Sequence, residues 1–169
     1  MKALSHLLDS AKLIDPNPVS LVCSKTPSGI TNLATVSWWT YLSLDPATIG
    51  FAMMKPSYTG EMVRTNKKVV LTVPSDKISP KQIMQCGSFT GRTKEKVKEF
   101  GIELKSLPDC DIQIPVHSVI AIQCALREFV DAGDHYFYIC DVENVYGDEN
   151  ETPLFAWKGY SKIAPAKEI

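Results

Sequence analysis

An excess of charge of one sign is missing from this chain: 18 basic and 19 acidic residues leave a formal charge of -1 over 169 positions. Without a cationic surplus there is no broad footprint for nucleic acid or an anionic membrane, so any anion site must be local. Long hydrophobic runs are missing too, and the first residues show no basic segment followed by an apolar stretch. Neither a membrane span nor a cleaved leader is expected. The five cysteines, Cys23, Cys86, Cys110, Cys124 and Cys140, are odd in number and widely spaced, with no C-x-x-C pair. That spacing excludes a local zinc site and argues against a disulfide framework. The expectation is a soluble, unprocessed protein of a reducing cytoplasm, without metal.

Several catalytic signatures are absent as well. No G-x-G-x-x-G and no G-x-x-x-x-G-K-[ST] occurs, which removes support for a Rossmann dinucleotide site and for a P-loop. His6, His117 and His135 are scattered, and no serine or cysteine sits in a nucleophile motif, so hydrolase chemistry has no support. What remains is an ordinary globular composition, 44% hydrophobic, in a length suited to one domain across residues 1–169.

Residues 2–13 carry Leu4, Leu7, Leu8 and Ala11 at helical spacing, giving a short amphipathic helix that could act as a lid before Pro16 and Pro18 stop it. Val19, Leu21 and Cys23 alternate, a turn follows at Thr26-Pro27-Ser28-Gly29, and residues 31–43 form the next extended run. Strands over residues 48–54 and 67–73 flank a short helix capped by Ser57. Residues 79–86 and 92–100 read as helices, the second closed by Gly101. Residues 119–130 and 135–146 are long β-rich runs joined by Asp131-Ala132-Gly133-Asp134, a hairpin by its turn chemistry. Hairpin-linked strands with helices confined to insertions predict a mainly β chain, an antiparallel barrel with appended helices rather than a doubly wound parallel sheet.

Three clusters could carry chemistry. On one strand through residues 31–43, period-two geometry puts Leu33, Thr35, Ser37 and Trp39 on one face and Asn32, Ala34, Val36 and Trp38 on the other. A row of hydroxyls suits the carbonyls and nitrogens of a flat heterocycle; it equally suits a half-exposed strand that uses threonine for β-propensity. Lys55-Pro56-Ser57-Tyr58-Thr59 offers hydroxyls and the first N–H groups of a helix, which bind phosphate without a Walker sequence or serve as a plain cap. Cys86-Gly87-Ser88-Phe89-Thr90-Gly91-Arg92 repeats the idea, with glycines permitting close backbone approach and Arg92 or Lys96 supplying charge. Cys86 also fits a small buried thiol, and His135 a hairpin residue.

Taken in order, Pro18-Val19-Ser20-Leu21-Val22, the 32–38 run, Lys55 to Thr59, Cys86-Gly87 with Thr90-Gly91 and Lys96, and Gly133-Asp134-His135 resemble the flavin reductase-like, FMN-binding split-barrel family, especially its flavoredoxin-like branch. The resemblance spans roughly residues 15–160 and lies in the order and spacing of the motifs. It implies a six-stranded antiparallel split β-barrel, a homodimer, and one FMN per subunit near the subunit interface. Thr35, Val36, Ser37 and Trp38 would contact the isoalloxazine and ribityl chain; Lys55, Ser57, Tyr58 and Thr59, with Thr90, Gly91 and Lys96, would surround the phosphate. His135 would lie near the open face of the flavin. Where the family commonly has Ser-Gly this chain has Thr90-Gly91, which keeps the hydroxyl and adds a methyl, with Arg92 a second-choice phosphate ligand. The implied activity is an NAD(P)H-dependent flavin oxidoreductase with NADH or NADPH as donor. The alternative is a flavoredoxin-like electron carrier with little nicotinamide activity; the electron acceptor is open in either case.

Overall fold

Buried apolar runs on consecutive residues, rather than alternating ones, set the architecture. A computed structural model describes residues 3–166. In chain order its elements are α1 (Leu7–Ala11), β1 (Asn17–Pro18), β2 (Ser20–Lys25), β3 (Thr31–Val36), β4 (Trp39–Leu44), β5 (Ala47–Met54), α2 (Tyr58–Asn66), β6 (Lys68–Pro74), α3 (Pro80–Ser88) and α4 (Lys96–Glu99). There follow β7 (Leu104–Lys105), β8 (Ile114–Pro115), β9 (Ser118–Ala132), β10 (His135–Gly147), β11 (Leu154–Trp157) and β12 (Lys162–Pro165).

Seven strands form one antiparallel sheet in the order β3-β2-β6-β9-β10-β5-β4. Its two edges, β3 and β4, are separated in sequence by only Ser37 and Trp38. A sheet whose opposite edges are two residues apart must curl on itself, and the Ala52 N–H, donating to the Trp38 carbonyl at 2.8 Å, extends the β4–β5 ladder back to the bend. Counted as one bent strand, residues 31–44 make this a six-stranded antiparallel barrel. The long β9–β10 hairpin carries its middle; there the Asp131 carboxylate accepts the Gly133 N–H at 3.1 Å, as the turn residues predict.

Period-two geometry divides the apolar side chains between two cores. Val22, Val69, Leu71, Ile122 and Cys124 point into the barrel with Phe51 and Tyr138, while their chain neighbours Leu21, Cys23, Val70 and Ala121 point outward to Ile83, Cys86 and Leu154. β2 and β6 are therefore covered on both faces, which is why they read as continuous apolar runs.

The sequence-based reading needs correction in four places. The 31–43 run is two strands, because the chain must cross from one sheet edge to the other. The bend flips side-chain parity: Trp39 packs against the barrel core with Ala34 and Val36, not on the side of Leu33. The second central helix shrinks from 92–100 to four residues, since Thr90 draws the preceding segment into turns, its hydroxyl accepting the Arg92 N–H and its carbonyl the Thr93 N–H. The N-terminal helix expected over 2–13 is Leu7–Ala11, with Leu7 exposed, and residue 2 lies outside the described residues. β11 and β12, which with β1 form a second small sheet, were not expected at all.

Candidate functional site

β3 and the bend after it, the N-terminal turn of α2, and the C-terminal end of α3 with the loop behind it converge on a cavity of about 610 Å³. Thr35, Val36, Ser37 and Trp38 line it from the bend, Ser57, Tyr58 and Thr59 from α2, and Thr90, Gly91 and Lys96 from beyond α3. His135 lines it from the start of β10. Three clusters separated by up to about sixty residues in sequence thus meet in space.

One part of the wall gathers hydrogen-bond donors. Ser57 caps α2 by accepting the Gly60 N–H at 3.2 Å. The N–H groups of Tyr58 and Thr59, in the first helical turn, have no intrahelical acceptor. The buried Asn32 amide donates to the Thr59 hydroxyl at 2.7 Å, fixing that oxygen and leaving its proton free to point elsewhere. Gly91 is packed so closely that a β-carbon there would lie 2.8 Å from Tyr58 Cδ1 and from Asn32 Cγ, so only glycine lets this backbone approach. Lys96 is 4% exposed, and its ammonium donates to the Leu33 carbonyl at 2.8 Å and the Cys86 carbonyl at 2.7 Å. Two of its three N–H donors are thereby used, and the third remains for the cavity. Burial lowers the Lys96 pKa to about 8, while burial pushes the Cys86 thiol up to about 11, Lys96 opposing.

Another part is more open and aromatic. Trp38 and His135 rings face each other at 5.0 Å with a 37° tilt, and His135 Nδ1 is 2.7 Å from the Asp134 carboxylate. The exposed Met54 lies beside them. Thr35 does not present a free donor: its hydroxyl donates to the Ile83 carbonyl and ties β3 to α3.

Two sequence candidates fall outside the cavity wall. Lys55 turns away to pair with Asp131 at 2.6 Å and to lie over the Tyr136 ring. Arg92 pairs with Glu61 and covers the Tyr58 ring at 5.1 Å. Leu8 and Ala11 of the helix expected as a lid line the cavity together with Asn17, whereas sequence reasoning missed the contribution of Gly159 and Tyr160. Only the Lys158-Gly159-Tyr160 turn composition could have hinted at it. Among the described residues no group of three or more His, Cys, Asp or Glu side chains is placed to hold a metal ion, and no helix is long and apolar enough to cross a membrane.

Fold and cavity together define a curled antiparallel barrel with a cavity beside its β3–β4 bend. The flavin reductase like domain matches residues 15–164, and the chain belongs to that family. Uncharacterised proteins of Archaeoglobus fulgidus and Pyrococcus abyssi are 22% and 27% identical over 69% and 64% of this chain; the chain spans 66% and 61% of their lengths, less than two thirds of each. A Pseudomonas putida flavin reductase is 26% identical over 85% of the chain and 81% of its own length. Among solved structures, a Shewanella frigidimarina protein with a split barrel domain superposes with a TM-score of 0.84 at 16% identity, covering 100% of this chain and 91% of that one. A flavoredoxin of Methanosarcina acetivorans gives 0.83 at 18%, covering 100% and 92%. An FMN-binding protein of Thermus thermophilus gives 0.81 at 18%, covering 100% and 95%. The fold is the antiparallel split barrel that the sequence resemblance implied.

Proposed function

We propose that this chain is an FMN-binding flavoprotein that acts as an NAD(P)H-dependent flavin oxidoreductase, as one cytoplasmic domain assembled into a homodimer. The observation that carries the reading is the polarity of the cavity: a buried ammonium, free helix N–H groups and a glycine cradle at one end, and an open aromatic mouth at the other. Its volume suits a flat ring system with an anionic tail.

The chain's own residues divide the work. Lys96, the Tyr58 and Thr59 N–H groups and the Gly91 backbone would hold the phosphate. The bend from Val36 to Trp38 would lie along the ring, with Ser37 between the two strands and outside both ladders. Trp38 and His135 flank the mouth through which a nicotinamide would come, and Asp134 orients the His135 ring by its hydrogen bond to Nδ1. A bound flavin supplies the hydride and electron chemistry, so no general acid or base of the protein is required. The similarity to a flavin reductase of Pseudomonas putida supports the reductase reading over the electron-carrier one.

Homodimerisation is supported by the edge strand β4, which is paired only on its β5 side and exposes Tyr41, Leu42 and Leu44. All five cysteines are free, consistent with a reducing compartment.

The deciding experiment is an absorbance spectrum of the purified protein before and after anaerobic NADH or NADPH, followed by mass spectrometry of the heat-released chromophore. Bound FMN bleached by either nucleotide is the expected result. FAD in its place, or no flavin retained after reconstitution with excess FMN, sinks the reading; FMN that neither nucleotide reduces turns it to the electron-carrier alternative.

A further inference from the structure

The turn between β11 and β12 holds three successive residues at positive φ: Lys158 at 52°, Gly159 at 61° and Tyr160 at 73°. Left-handed backbone suits glycine, asparagine and aspartate; for a bulky aromatic residue it is an outlier that the surroundings must sustain. Here they do. The Lys158 N–H lies 2.8 Å from both oxygens of the Asp15 carboxylate, and the Lys12 stem packs over Gly159. Trp157 Nε1 donates to the Ala164 carbonyl at 3.1 Å, fixing the arms of the hairpin. Backbone preference does not explain a tyrosine at position 160, so the reason lies in where its side chain goes.

It goes into the cavity wall. Tyr160 is half-buried, packs against the outer core and lines the same cavity as Ser37, which stands beside its phenol. Burial holds the phenol pKa above its ordinary value, Ser37 opposing, so at neutral pH the hydroxyl is a neutral donor. Its place in the cavity follows from Ser37, which lies on the bend between β3 and β4 that would run along the flavin ring, so Tyr160 meets the cavity on that side.

We propose that Tyr160 is a binding residue for the flavin ring, its phenol on the strained turn closing the ring compartment on the side of the bend and donating a hydrogen bond to a polar edge of the heterocycle. The inference rests on the flavoprotein reading and adds to it a residue from the C-terminal hairpin, so the two ends of the chain complete a site otherwise built from β3, α2 and α3.

The test is titration of FMN and of riboflavin into the parent, Tyr160→Phe and Tyr160→Asn, with thermal melting of each. Tyr160→Phe keeps the ring and loses the donor; it should melt with the parent, bind both flavins about three- to tenfold more weakly by the same factor, and shift the long-wavelength flavin absorption band. Tyr160→Asn suits the left-handed backbone, so it should stay folded and weaken both flavins further. Parent affinity for both flavins in the two variants overturns the proposal, and so does a loss confined to FMN, which would place Tyr160 at the phosphate. A parent that takes up neither flavin overturns the flavoprotein reading itself, and this contact with it.

Discussion

The Lys96 ammonium donates to the Cys86 carbonyl at 2.7 Å, so a buried charge is spent on closing the C-terminal end of α3. The same ammonium holds the Leu33 carbonyl of β3, making Lys96 at once a tether between elements and, among the described residues, the only lysine or arginine in the cavity wall besides Lys12.

Lys96→Met should therefore show two separate effects. Stability should fall by about 1–3 kcal/mol for each carbonyl left buried without a donor. FMN should bind roughly tenfold or more weakly, from a lost charge-assisted hydrogen bond of about 1.5–3 kcal/mol, while riboflavin, which lacks the phosphate, keeps its affinity. Melting curves and parallel titrations read the two effects; equal losses for both flavins would leave Lys96 a tether alone.

The pH dependence has a defined sign. Burial puts the Lys96 pKa at about 8 in the folded protein against an ordinary 10.5. Between those values the unfolded chain holds a proton that the folded one has released, so the ligand-free protein should gain stability as pH rises through this window. FMN affinity should move the other way, falling above pH 8 as the unliganded amine loses its charge. Riboflavin affinity should stay flat from pH 7 to 9, a range in which Cys86, raised to about 11, does not titrate. An FMN affinity that does not change across pH 8 removes Lys96 from the phosphate.

Gly91→Ala adds a β-carbon 2.8 Å from Tyr58 Cδ1 and Asn32 Cγ. The overpacking should cost about 1–3 kcal/mol and push the Asn32 amide off the Thr59 hydroxyl. We expect FMN binding to weaken at least several-fold with the fold retained by circular dichroism. Unchanged FMN affinity would mean the Gly91 backbone is not in contact with the ligand.

Leu44 is 90% exposed at the end of the edge strand β4. Leu44→Glu should shift the proposed homodimer toward monomer in light scattering at micromolar concentration, because a charge would then enter an apolar contact through β4. A parent protein that is monomeric at that concentration contradicts the dimer; a variant that remains dimeric moves the interface away from β4.

How much of this was legible beforehand varies with how local each cause is. The Ser57 cap, the α2 insertion and the β9–β10 hairpin are written in adjacent residues: a serine before a helix and an aspartate–glycine turn act on their own neighbours. Period two puts Trp39 on the wrong side of the 31–43 run because it holds only along an unbroken strand, and nothing at Ser37-Trp38 announces a crossing between sheet edges. Lys55 and Lys96 show the same limit. Both are lysines beside hydroxyl clusters, yet one reaches the solvent-side Asp131 and the other is buried on two carbonyls.

The sequence by itself determined the Ser57-capped helix, the antiparallel hairpins and the family, because capping, turn chemistry and motif order are properties of neighbouring residues. Only the tertiary structure decided which charges face the cavity, that the 31–44 run bends to close the barrel, and that Tyr160 meets Ser37 from across the chain. Those outcomes depend on contacts between residues far apart in sequence, where the direction of a side chain is set by packing and the need to satisfy buried polar groups rather than by its neighbours.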